Sequence, residues 1–149
     1  MGVRRNCIWG VVLLGLSVVS APASAADDDL VKAMMEVYAE ELAANPQDYR
    51  TYYSRSMAYF GQGEMEKALS DINNAIKYFP RREKDDLAQA YLLRAKILTV
   101  KGENKPALTD LNSALRLVPN HRLALKDRGD LLCKMGQYDL AKIDYSQFS

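Results

Sequence analysis

The chain has 149 residues, enough for one domain of ordinary size, with 20 basic and 19 acidic residues, one histidine and two cysteines. So even a balance argues against a nucleic-acid partner, because phosphate binding needs a positive excess or patch. One histidine and two cysteines also argue against a zinc site of the usual ligands.

Residues 1–25 read as a signal peptide. Arg4 and Arg5 form a basic n-region, a largely apolar run follows from Cys7 to about Val19, and small residues fill Ser20 to Ala25. Ala23-x-Ala25 fits cleavage before Ala26, with Ala21-x-Ala23 a second candidate site. The apolar run is shorter than the roughly 20 residues of a membrane span, and the competing reading is an uncleaved N-terminal anchor. Removing the segment leaves 18 basic against 19 acidic residues, a net charge of −1. Cys7 leaves with it, so Cys133 is expected alone, as a buried thiol, and no disulfide framework forms. The expected location is the periplasm or, by a eukaryotic route, the secretory space.

The spacing predicts seven helices, at 28–44, 48–61, 64–78, 86–101, 104–117, 121–135 and 138–147. The first carries Leu30, Ala33, Met34, Val37, Tyr38, Glu41 and Leu42 at i, i+3, i+4, i+7 spacing, and Asn45-Pro46 closes it. Asp27-Asp28-Asp29 suits its N-terminus. The remaining helices repeat. Lys67 to Ile76 matches Pro106 to Leu115 almost position by position, and Ala141 to Tyr145 begins the pattern again. Gly63, Gly102 and Gly136 each lie five residues before Ala68, Ala107 and Ala141. The spacing from Ala107 to Ala141 is 34 residues and from Ala68 to Ala107 is 39, with the extra five assigned to a loop in Arg81 to Asp86.

Each unit resembles a tetratricopeptide repeat, whose period is about 34 residues. The first unit supplies Tyr52, Ser56, Tyr59, Gly63, Ala68, Ile72, Ala75 and Pro80. The second supplies Tyr91, Ala95, Leu98, Gly102, Ala107, Leu111, Ala114 and Pro119. The third supplies Leu125, Gly129, Leu132, Gly136, Ala141 and Tyr145, with Phe148 where Ala is usual. The resemblance implies an all-α solenoid of stacked antiparallel helix pairs, wound as a right-handed superhelix. Residues 26–46 form a capping helix, and residues 47–149 form three repeats, at about 49–82, 88–121 and 122–149, the last truncated. The glycines supply the turns and the small residues let the paired helices approach closely. Arg55, Arg94 and Arg128 recur 16 residues before Asp71, Asp110 and Asp144. They are expected to pair between helices, at about 1 kcal/mol or less each, the alternative being a charged binding track.

No catalytic constellation, cofactor motif or metal cluster emerges. His121 follows Pro119-Asn120 and suits a helix cap or the surface. In the family, the first helix of each unit lines a concave groove. That resemblance places Arg50, Tyr53, Met57 and Phe60, then Gln89, Leu92, Lys96 and Thr99, then Leu123, Lys126 and Asp130 along it. The competing reading puts Tyr53, Met57 and Phe60 in the core. A carboxylate clamp of the cytosolic co-chaperone kind does not fit, because its positions here are Tyr53, Met57, Leu93, Leu123 and Asp127. The expected function is an exported, non-enzymatic adaptor that binds a peptide segment of another protein. The alternative is a structural subunit that associates through its C-terminal helix.

Overall fold

The computed structural model describes residues 25–148, with side chains from Asp27. Residues 1–24 and Ser149 lie outside it, and with them nearly all of the expected leader. Seven helices follow one another: α1 (Ala25–Ala44), α2 (Tyr49–Gly61), α3 (Met65–Tyr78), α4 (Lys84–Val100), α5 (Asn104–Leu117), α6 (Arg122–Lys134) and α7 (Tyr138–Phe148). Every boundary falls within three residues of its expected place. The pairs α2/α3, α4/α5 and α6/α7 form hairpins, and each second helix also leans on the next first helix. α1 packs against α2 from outside the first hairpin.

The hairpin turns are built alike. Gly63, Gly102 and Gly136 have φ of 78°, 81° and 78°, in the left-handed region where a Cβ is strained. At the first turn the Glu64 N–H donates to the Tyr59 carbonyl and the Gly63 N–H to the Phe60 carbonyl, which satisfies two end carbonyls of α2. Equivalent bonds recur after α4 and α6. The five-residue insertion does not form a loop. α4 has 17 residues where α2 and α6 have 13, so four of the five extend the helix N-terminally. A helical extension keeps its backbone hydrogen-bonded, and Leu87 on it is buried. Phe79, just before it, is buried 4.3 Å from the Tyr49 ring, and the Tyr49 hydroxyl donates to Glu83 at 2.7 Å.

Two apolar clusters form the core. One gathers Ile72, Ile76, Phe79, Leu87 and Ile97 between α3 and α4, and the other gathers Leu92, Leu98, Leu111, Leu115 and Leu125 around α4, α5 and α6. Within each hairpin a small residue faces a larger one 16 positions later. Ser56 stands opposite Ile72, Ala95 opposite Leu111, and Gly129 opposite Tyr145. Tyr145 is the bulkiest of the three, and a Cβ at Gly129 would lie 2.8 Å from its Cε1. At Gly129 the small residue thus makes room for the large ring that faces it.

The Arg–Asp pairs form within each hairpin. Arg55 binds Asp71 by two hydrogen bonds of 2.6 and 2.8 Å, Arg94 binds Asp110 by two of 2.7 Å, and Arg128 binds Asp144 at 2.8 and 2.6 Å. Arg94 also donates to Asn73 and Arg128 to Asn112, so these guanidiniums tie consecutive repeats. The pairs were expected partly exposed and weak; the arginines are partly exposed, but all three aspartates are buried, and a buried carboxylate depends on its partner far more than an exposed one. Bidentate hydrogen bonding holds the three arginines above their ordinary pKa, against the effect of burial.

The stripe expected on α1 is also rotated. Val31, Met35, Tyr38 and Leu42 are its less exposed residues and Leu42 is buried, whereas Leu30, Met34 and Val37 face outward. Spacing alone allowed both stripes, because α1 is apolar on two sides.

Candidate functional site

The first helices α2, α4 and α6 stand side by side, and the residues expected along their shared face divide by position. Arg50, Met57, Gln89, Leu123, Lys126 and Asp130 are exposed. Tyr53 and Phe60 are half-buried and pack on the first core cluster, between the two readings made of them. Leu92 is a correction: it is only 3% exposed and belongs to the second cluster. The reason is the stacking. Tyr53, Leu92 and Lys126 share one repeat position, at the seam between a first helix and the next. Leu92 shares the second cluster with Ala124 and Leu125 of α6, whereas Lys126 has no first helix after it among the described residues. Burial at that position therefore depends on neighbours that one repeat's pattern does not show.

What the three helices enclose is a cleft of about 340 Å³. Phe60 of α2, Ala95, Lys96, Thr99 and Val100 of α4, Leu111 of α5 and Leu131 of α6 line it. Asp127 reaches in from α6, with Asp130 and Lys134 at the rim. The Asp127 Oδ2 atom is buried and has no hydrogen-bond partner in the protein. Lys96 Nζ is its nearest cation, at 3.7 Å, too long for a hydrogen bond. Burial raises the Asp127 carboxyl above its ordinary pKa, and Lys96 and Lys126 only partly oppose this. A buried acceptor without a donor costs free energy that a ligand bringing an N–H or O–H would recover. Asp130 differs: Lys126 donates to it at 2.7 Å and the Tyr145 hydroxyl at 2.7 Å.

Sequence reasoning met Asp127 only as a clamp position that it does not fit, and not as a residue of the site, although a signal was present. Its repeat position holds Ser54 in the first unit and the buried Leu93 in the second, so an acid there breaks the pattern of the seam. Val100, Leu131 and Lys134 carried no such mark. The rest of the rim is structural. His121 caps α6, its Nδ1 accepting from the Ala124 N–H at 3.2 Å, and the Gln89 side chain meets its other ring nitrogen at 3.0 Å. Cys133 is half-buried rather than buried, and the Tyr145 hydroxyl donates to its sulfur at 3.8 Å. Among the described residues no group of His, Cys, Asp and Glu is placed to hold a metal ion, and no helix is long and apolar enough to cross a membrane.

Stacked helix hairpins, glycine turns at fixed spacing and a row of first helices lining one face define an all-α tetratricopeptide-repeat solenoid. The comparisons agree with this. Residues 49–82 match the family model described as tetratricopeptide repeat. The crystal structure of MamA is similar over 82% of this chain and 71% of that one, at 20% identity and a TM-score of 0.70. PilF of Pseudomonas aeruginosa is similar over 76% of this chain at 19% identity and a TM-score of 0.70, this chain spanning 50% of that one. The second tetratricopeptide domain of Spaghetti (RPAP3), solved bound to the HSP90 peptide SRMEEVD, is similar over 72% of this chain and 95% of its own, at 21% identity and a TM-score of 0.62. These likenesses show the fold. No curated protein sequence matches the chain.

Proposed function

We propose that this protein is an exported, non-catalytic adaptor that holds a peptide segment of another protein against α2, α4 and α6. The observation that carries the reading is the cleft with its buried Asp127 oxygen, which is held only by an ion pair to Lys96 at 3.7 Å and not by a close hydrogen bond. A segment that lays an apolar side chain between Phe60, Val100 and Leu131 and offers an N–H to Asp127 would remove water from the cleft and pair the carboxylate. Exposed Met57 and Leu123 extend the contact beyond the cleft, and Met adapts its shape to an irregular partner. The peptide-bound structure of the Spaghetti (RPAP3) domain supports peptide binding as a use of this fold. Export rests on the sequence of residues 1–25, and a mature protein beginning at Ala26 is expected on N-terminal sequencing.

A second reading has its own observation. On α7, Leu140 and Ile143 are each about half exposed, 51% and 52%, with no helix after them among the described residues. This face suits self-association of a structural subunit. One experiment separates the two. A photo-crosslinking residue is placed at Thr99 or at Ile143 and activated in the native host. The adaptor reading expects a second protein captured from Thr99, and that capture lost when Val100→Trp fills the cleft. Copies of the chain itself captured from Ile143, with nothing from Thr99, would replace it by the structural reading.

A further inference from the structure

α1 carries an apolar stripe that no other element covers among the described residues, and the repeats show what kind of element would stand over it. α1 stands where the second helix of a repeat stands. It closes at Pro46, 34 residues before Pro80, and it leans on α2 as α3 leans on α4. In that register Met34 and Val37 take the positions of Ala68 and Asp71. Those positions are closed in every repeat, at 0% and 4% exposure for Ala68 and Asp71, 0% and 4% for Ala107 and Asp110, and 1% and 2% for Ala141 and Asp144. The first helix of the same repeat covers them. On α1, Met34 is 37% exposed, Val37 50%, and Leu30, one turn before, 67%. A first helix in the ordinary register is ruled out by α1 itself: the connecting turn would fall at residues 27–30, and α1 is helical there.

The residues on this face differ from those of a repeat. The small Ala and the Arg-binding Asp are replaced by Met34 and Val37, which are larger and apolar. Beside them runs an acidic edge. Asp29, Glu36 and Glu40, with Ala33 between, lie one position before Leu30, Val37 and Glu41 along the helix, and all are exposed. Residues 25–44 hold six acids against Lys32 alone, a formal charge of −5. Two copies of α1 face to face would set −5 against −5, so a second copy is a poor complement. We propose that the Leu30–Met34–Val37 face of α1 docks an amphipathic helix from another protein, one whose apolar stripe is flanked by lysine or arginine. Such a helix would supply the missing layer and pair with Asp29, Glu36 and Glu40. The site is separate from the cleft and does not depend on it.

The test uses the full chain and two labelled synthetic helical peptides, titrated by fluorescence anisotropy at low and high salt. Both peptides carry the same leucine stripe, with lysines flanking it in one and glutamates in the other. The lysine peptide should bind about tenfold or more tightly than the glutamate peptide, and salt should narrow the gap. Glu36→Lys with Glu40→Lys should reverse the order. A photo-crosslinker at Val37 should capture the lysine peptide, and one at Thr99 should not. The proposal is overturned by equal affinities, by no binding, by an order that the double substitution leaves unchanged, or by capture at Thr99 instead. It is equally overturned if the chain sediments as a dimer that Met34→Asp splits, since a second copy would then be the occupant.

Discussion

Replacing Gly129 by alanine tests how the small residue makes room for the Tyr145 ring in the last hairpin. The added Cβ would sit 2.8, 3.1 and 3.2 Å from Cε1, Cζ and Cδ1 of Tyr145. The ring cannot simply slide away, because its hydroxyl is held on Asp130 at 2.7 Å. Overpacking of this kind costs about 1–3 kcal/mol. Alanine returns about 1 kcal/mol of helix propensity over glycine. The net loss expected for Gly129→Ala is therefore about 1 kcal/mol. Tyr145→Leu alone leaves a void beside Gly129 and strips Asp130 of one donor, a loss of about 2 kcal/mol. The double variant recreates the Ala95/Leu111 pair of the preceding hairpin, so its loss should fall short of the sum by about 1 kcal/mol or more. Urea denaturation followed by helical ellipticity measures all three. Losses that add to within about 0.3 kcal/mol would mean that the two positions do not share one volume, and the reasoning would fail.

Arg94→Ala leaves the buried Asp110 carboxylate without its guanidinium and cuts the link to Asn73; a loss of about 3 kcal/mol is expected, and a loss below about 1 kcal/mol in urea would refute the role given to the pair. Asp127→Asn removes a charge that burial disfavours. Because the folded pKa lies above the unfolded one, ionised Asp127 weakens the fold at neutral pH, and the penalty is relieved as pH falls through the folded value. The variant should melt higher than the parent at pH near 7, with the gain fading below a pH of about 4; a lower melting temperature at neutral pH would show that Lys96 outweighs burial. Tyr53→Ala, which an outward side chain would make harmless, should cost about 1–2 kcal/mol through lost contact with the first core cluster, read as a lower thermal midpoint. An unchanged midpoint would return Tyr53 to the open groove.

Much of this protein was legible before any coordinates. The number, order and pairing of the helices followed from the recurrence of Gly63, Gly102 and Gly136 before the small residues Ala68, Ala107 and Ala141. Each feature acts locally: a glycine at positive φ ends a helix wherever it stands, and a small residue admits a neighbour wherever two helices cross. The Arg–Asp partners were legible too, because their 16-residue spacing spans one hairpin. Their burial was not, since it depends on how closely the neighbouring helix packs over them, and it turns a weak pair into a structural one. The same dependence moved Leu92 from the groove to the core while leaving Lys126, at the equivalent position, in solvent. It drew the insertion after Pro80 into α4, where Leu87 had a core to meet. It chose which of two apolar stripes on α1 would pack on α2 and which would stay open. Sequence determined the elements and the turns between them, because those are set by dihedral preference and spacing within a few residues. Tertiary structure decided which faces met water, because exposure is fixed by what stands beside each helix, and no single helix carries that information.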